Sequence, residues 1–418
     1  MLIKQVRVID PTQDLDEIQD LCIADGKITA SPGTSDTQMI DGRGLVAVPG
    51  LIDLHVHLRD PGFCYKEDIF TGTQAAVAGG FTTVACMPNT KPALDTPDGL
   101  AYVISKAQDA PARVLPIAAV TVGQQGETLT DFEALRAAGA VAFSDDGVPV
   151  DSAALLRLAM QTAAKLDMPI ISHCEDREMV QNHGANEGPV ADRLGIPGRP
   201  AVAEAIQVAR DLLLAEDTGC HVHIAHVSTG KSVELIRRAK ADGVRVTAET
   251  CPQYFTLTED ALLEQGALAR VNPPLRTAKD REAIIAGLMD GTIDAIATDH
   301  APHSVEEKSG AIPDAMSGMI GLETALGLTL TTVYHSGKLD LPAIVRLLSA
   351  APAKILALPY GTLRPGAAAD ITIFDPDETW TVEPETFRSK GRNTPFGEMT
   401  LRGRVRYTIC GGVLQYER

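Results

Sequence analysis

The chain has 418 residues, 44% of them hydrophobic, with Lys+Arg 37 against Asp+Glu 55 and a formal net charge of -18. That is enough apolar chain for a large barrel or two domains, and the acidity argues against a nucleic-acid backbone or an anionic membrane as partner, so an anionic substrate would need a local cluster of Arg, His or metal. The seven cysteines never form Cys-x-x-Cys, the N-terminus lacks a leader pattern and no apolar run approaches the roughly 20 residues of a membrane span, so a soluble protein of the reducing cytoplasm is expected.

In chain order, residues 2–9 and 21–28 are β-prone runs punctuated by Asp-Pro and Asp-Gly. Short apolar or β-branched runs follow at 51–57, 82–87, 114–120, 140–144, 170–174, 221–226, 244–248 and 295–298, each short enough for a buried parallel strand. Between them lie Ala-, Leu-, Glu- and Arg-rich helical stretches such as 152–166, 201–216, 231–241 and 279–289. Several close on glycine, as at Gly139, Gly219 and Gly243. Residues 370–374, 379–382 and 402–409 return to β character. The pattern predicts a (β/α)8 barrel over 51–355, with 1–50 and 356–418 meeting in one small β-sandwich. An open doubly wound sheet is the alternative; no Gly-x-Gly-x-x-Gly follows the first strand to support it.

The C-terminal rim of such a barrel is where chemistry is built. Strand one ends in His55-Val56-His57, followed by Leu58-Arg59. Alternation with period two projects both imidazoles from one face, where they can grip a divalent metal, and Arg59 can hold an anion. Strand two runs into Met87-Pro88-Asn89, strand four into Ser144-Asp145-Asp146-Gly147, and strand five into Ser172-His173-Cys174-Glu175. Strand six ends at His226, and strand eight at Thr298-Asp299-His300 with His303 just beyond. Singly, His173 fits a satisfied buried histidine, Asp145-Asp146-Gly147 a turn, Asn89 a turn residue and Arg59 a surface ion pair. Jointly these bland readings require five coincidences at the same end of one fold. His221 and His223, which start their strand, and His183 and His335 read as structural.

Taken together, Val48-Pro49-Gly50-Leu51-Ile52-Asp53-Leu54-His55-Val56-His57, His57-Leu58-Arg59-Asp60-Pro61-Gly62, Met87-Pro88-Asn89-Thr90, His173-Cys174-Glu175, Ala225-His226-Val227-Ser228-Thr229 and Thr298-Asp299-His300-Ala301-Pro302-His303 resemble the class I bacterial dihydroorotases of the amidohydrolase superfamily. The likeness covers essentially the whole chain. It implies two zinc ions, one held by His55, His57 and Asp299, the other by His173 and His226, with a carboxylate and a hydroxide bridging them. Many relatives, hydantoinases and allantoinases among them, use a carboxylated lysine as the bridge. This chain has no lysine between Lys106 and Lys165, so the resemblance is to the aspartate-bridged subgroup, in which Asp146 matches the bridge and Asp145 is the neighbouring fallback.

The resemblance further implies that Asp299 moves the proton between attacking water and leaving nitrogen, and that Arg59, Asn89 and His303 hold the substrate carboxylate. Asn272 matches a further contact to the ring; a residue held extended before Pro273 is the bland alternative. Where the family often has an aromatic residue before glycine, this chain has Ser317-Gly318, which leaves a main-chain contact to the ring and removes an aromatic one. Residues 302–316, long and polar, are expected to form a lid.

The implied activity is reversible cyclisation of N-carbamoyl-L-aspartate to dihydroorotate, in a homodimer able to associate with aspartate transcarbamoylase. An allantoinase or dihydropyrimidinase would share fold and metal logic. A non-catalytic dihydroorotase-like scaffold of the transcarbamoylase is a reading of another class; usable side chains at all six ligand positions weigh against it.

Overall fold

Leu51–Val56 and Phe81–Cys86 are buried at every residue, the signature of parallel strands covered on both faces. The computed structural model describes residues 1–30, 38–180 and 184–418, so His183 lies outside the described residues. Leu51–Val56 pairs in parallel with Phe81–Cys86, and that strand with Arg113–Pro116. Ile170–Ser172, Val222–Ile224, Val246–Thr250 and Ala295–Ile296 form a second parallel run. Phe143 joins the two runs through parallel bridges to Ala118 and Ile170. Val56 bridges His300 on the other side, with His57 N donating to His300 O at 2.9 Å, and the ring closes into a (β/α)8 barrel.

Strand four is shorter than the run at 140–144 predicts. Val141 N and Ser144 N still donate to Pro116 O and Ala118 O, but the chain turns away at Asp145 before a regular ladder is established. The helices fall where their periodicity placed them. Ala153–Lys165, Gly230–Ala241 and Ala278–Met289 start at Ser152, Thr229 and Thr277, whose side chains accept the first free backbone N–H groups. Val202–Thr218 stops at Gly219, whose φ of 68° lies in the left-handed region a C-capping glycine occupies without strain.

The two chain ends share one eight-stranded sheet. Val46–Pro49 is its hinge: it pairs in parallel with Leu2–Asp10, antiparallel with Ile371–Thr381, and leads directly into Leu51–Val56. The sheet wraps on itself, because the turn at Gly26 meets the one at Gly411, where a Cβ on Gly26 would stand 2.9 Å from the Gly411 carbonyl oxygen. Ile3, Val6, Ile23, Ile371 and Ile409 fill its separate core. Between Ile371–Thr381 and Thr400–Cys410 the chain leaves this sheet and crosses to the barrel rim, where Asn393 contacts His303. Among the described residues no helix is long and apolar enough to cross a membrane, and all seven cysteines are free.

Candidate active site

His55 occupies the last inward turn of strand one and is fully buried. Its backbone N–H donates to Asp53 Oδ1 (3.0 Å), and the same carboxylate accepts from Thr298 N (3.1 Å) and Thr298 Oγ1 (2.6 Å), locking strand one to strand eight. Burial pushes Asp53 up to about 7. His55 Nδ1 donates to Glu249 Oε1 at 2.9 Å, and the other Glu249 oxygen accepts from His223 Nε2 at 3.1 Å. Glu249 thereby orients the ring so that His55 Nε2, the position a proton or a metal cation would take, faces inward. Burial opposes charge on His55, but Asp146, Glu249 and Asp299 together raise it well above the usual imidazole value.

Asp146 stands among four imidazoles. Its carboxylate lies 3.4 Å from His55 Nε2, 3.6 Å from His57 Nε2, 3.4 Å from His173 Nδ1 and 3.6 Å from His226 Nε2. Burial would raise its pKa, yet the attraction of the surrounding imidazoles, His55 first and then His173 and His226, holds it well below the carboxylate range. Its neighbour Asp145 turns the other way and accepts from Val120 N (2.8 Å), Thr121 N (3.2 Å) and Thr121 Oγ1, so it organises the loop. Asp299 Oδ1 is 3.0 Å from His57 Nε2 and 3.6 Å from His55 Nε2. On the other side His173 Nδ1 and His226 Nε2 are 2.8 Å apart, while His173 Nε2 donates to Glu175 (3.3 Å), itself gripped by Arg199 NH1 at 2.9 and 3.1 Å.

The donor set fits a metal. His55, His57 and Asp299 form one buried group able to hold an ion, and His55, Asp146 and His226 another. His55 Nε2 and Asp146 Oδ1, which face each other, are buried without a hydrogen-bond partner among the described residues, a costly state that ligation would relieve.

Every candidate residue except His55 and the fallback Asp145 lines one cavity of about 400 Å³. Opposite the imidazoles, Arg59 Nε donates to Pro302 O (3.2 Å) and its NH2 lies 3.3 Å from His303 Nε2. Burial lowers Arg59 to about 10, still cationic at neutral pH, and burial beside Arg59 and Lys66 drops His303 to about 3, so that ring is neutral. Asn89 links the two sides, accepting from His57 Nδ1 (2.9 Å) and donating to Asp146 Oδ2 (3.3 Å). Asn272 Oδ1 is buried without a partner. Arg59, His226 and Asp299 have φ of 60°, 34° and 49°, strain that concentrates where side chains must be aimed. A larger cavity, about 1120 Å³, opens at the far end of the barrel around His221 and Met168, away from the imidazole cluster.

Residues 44–232 match the Dihydro-orotase-like family and residues 199–416 the Amidohydrolase family. The chain is 51% identical over 421 residues to a dihydroorotase of Syntrophotalea carbinolica, covering 100% of this chain and 99% of that protein. It is 49% identical over 423 residues to one of Syntrophus aciditrophicus, with the same coverage. The chain belongs to the dihydroorotase family. Among solved structures, the L-hydantoinase (dihydropyrimidinase) of Arthrobacter aurescens matches with a TM-score of 0.88 at 29% identity, over 99% of this chain and 95% of that one. A D-hydantoinase from Thermus sp. matches at 0.86 and 24%, over 100% and 96%, a likeness of fold alone.

In this dihydroorotase-family site the sequence reading places the imidazoles and Asp299 together but misses what holds them. His221 keeps to the far end of its strand beside Thr247, as expected. His223 does not: one pleat further along, it reaches Glu249 and so supports His55. Glu249 itself was legible as a lone acid inside the buried strand Val246–Thr250, where a carboxylate needs a partner. Arg199 and Asn393 carry no such local signal.

Proposed function

We propose that the protein is a dihydroorotase of de novo pyrimidine (UMP) biosynthesis, closing N-carbamoyl-L-aspartate to (S)-dihydroorotate with loss of water and opening the ring in reverse. The observation that carries this reading is Arg59 with His303 facing, across one cavity, four imidazoles gathered about Asp146. A cyclic-amide substrate bearing its own carboxylate matches that polarity; allantoin and dihydrouracil have no carboxylate for Arg59. The full-length likeness to dihydroorotases supports the same choice.

Two zinc ions would suit the mixed imidazole–carboxylate set; His55, His57 and Asp299 would hold one and His173 and His226 the other, with Asp146 within reach of both groups. When bound, zinc supplies Lewis acidity that polarises an amide carbonyl and acidifies water. The chain's own groups do the rest. Arg59 receives the substrate carboxylate in its guanidinium fork, with Asn89 and His303 beside it, and fixes the ring's orientation. Asn272 and the Ser317-Gly318 main chain contact the ring. Asp299 accepts the proton released as the water oxygen adds to the ring carbonyl and returns it to the departing amide nitrogen; in synthesis the order reverses. Glu249 and Glu175 keep His55 and His173 in one tautomer.

The reading extends to a cytoplasmic homodimer that associates with aspartate transcarbamoylase, tested by light scattering of the protein alone and mixed with that enzyme. The activity itself is tested by comparing ring opening of dihydroorotate, allantoin and dihydrouracil by the zinc-loaded protein. Preference for either of the last two would overturn the assignment, and turnover of none would favour the scaffold reading.

A further inference from the structure

The substrate side of the cavity is built from two short strips that leave the barrel after strand eight. Ala301 to His303 forms one, and Ser317 with Gly318 the other. They touch directly, with Ala301 N donating to Met319 O (2.8 Å) and His303 Nε2 donating to Ser317 O (2.9 Å). A third strip comes from the chain's C-terminal part and brings Asn393, which is 3% exposed. Asn393 Oδ1 accepts from His303 N at 3.0 Å, while Nδ2 donates to Ala301 O (3.0 Å) and to Gly318 O (3.1 Å). Its carbonyl accepts from Ile320 N at 3.0 Å. One amide thus spans both substrate strips, and only one orientation serves: flipped, it would set NH2 against an N–H and oxygen against two carbonyls. The approach is close, since a Cβ at Gly391 would stand 2.9 Å from Asn393 Oδ1 and 2.7 Å from an Ile320 methyl. Lys308 Nζ adds a second donor to Gly318 O at 2.9 Å.

We propose that Asn393 is a positioning residue for substrate recognition, setting the separation of His303 from the Ser317-Gly318 main chain and so the fit of the carboxylate-bearing ring. This rests on the dihydroorotase reading, and it assigns part of the substrate site to a segment outside the barrel. Asn393 touches neither the imidazole cluster nor Asp299, so its loss should act on binding and leave the chemistry and the metal in place.

The test compares Asn393→Asp with Phe396→Leu, a core substitution in the same segment that touches none of these hydrogen bonds. Asn393→Asp keeps the acceptor and turns both donor contacts into oxygen–oxygen repulsions. Its expected KM for dihydroorotate rises about tenfold or more, competitive inhibition by orotate weakens in step, kcat stays within about threefold and zinc content is unchanged. Phe396→Leu is expected to lower Tm without moving KM. An unchanged KM in Asn393→Asp, or the same rise in Phe396→Leu, overturns the proposal. Should the Asp variant not fold, amide exchange of the wild type decides: a His303 N–H exchanging as fast as an unbonded loop amide also overturns it. Wild-type protein inert toward dihydroorotate would instead overturn the function.

Discussion

Asp146 Oδ1 and His55 Nε2 face each other across 3.4 Å, both buried, and neither has a hydrogen-bond partner among the described residues. Two such atoms left unspent in a protein interior cost free energy unless something else occupies their lone pairs. Asp145, one residue earlier, has its carboxylate fully committed to the backbone and hydroxyl of a neighbouring loop. The two aspartates therefore predict opposite phenotypes. Asp146→Ala should lose metal and with it turnover, by about 10³-fold or more. Asp145→Ala should keep its metal and lose roughly 1–3 kcal/mol of stability. Elemental analysis and urea denaturation of both variants check this; full metal content in Asp146→Ala would remove it from the bridge.

Glu249 spends both oxygens on imidazoles, and hydrogen bonds from His223 and His55 outweigh its burial and hold it at about 2. A glutamine can accept only one of those two bonds. Glu249→Gln should therefore leave the fold intact and weaken zinc binding by about 10- to 100-fold. Competition with a chromophoric chelator measures this directly.

Asp299 has its proton-transfer role tested by separating chemistry from binding. Asp299→Ala should lower kcat by about 10² to 10⁴-fold. Orotate should still bind, because Arg59 and His303 remain. Near-normal turnover would assign the proton transfer elsewhere.

Glu323 offers a pH test away from the imidazoles. Burial raises its carboxyl to about 7, against backbone N–H bonds from Arg388 (2.8 Å) and Ser389 (3.2 Å) that act the other way. The folded protein keeps this proton to about pH 7, whereas the unfolded chain releases it near the ordinary glutamate value of 4.5. The associated stability is complete below that lower value and is lost as pH rises through 7. Glu323→Gln should be indifferent, so its advantage over the wild type should grow by roughly 1–2 kcal/mol between pH 5.5 and 7.5. Parallel denaturation curves at the two pH values would refute it.

What could be read from sequence follows from how local each signal is. His55-Val56-His57 declares itself because strand period and strand end are both written within a few residues, and Ala153–Lys165 because its cap and apolar stripe are contiguous. The run at 140–144 looks like its neighbours, yet the turn at Asp145 cuts its ladder down to Phe143. Asp146 could be separated from Asp145 only by likeness, since the choice depends on which way a turn faces. Asn393 could not be found at all: its partners lie some 75 to 92 positions away, and nothing in its surroundings departs from an ordinary loop.

Val46–Pro49 has one flank against the chain's beginning and the other against Ile371–Thr381, more than three hundred residues later. The strand carrying His55 and His57 grows directly from it. During synthesis, then, the first histidines to emerge from the ribosome wait for Ile371–Thr381 before the strand that leads into theirs is anchored on both flanks. The centre should mature only once residues 371–381 have been made, and a stalled chain ending before residue 371 should stay protease-sensitive at its front end.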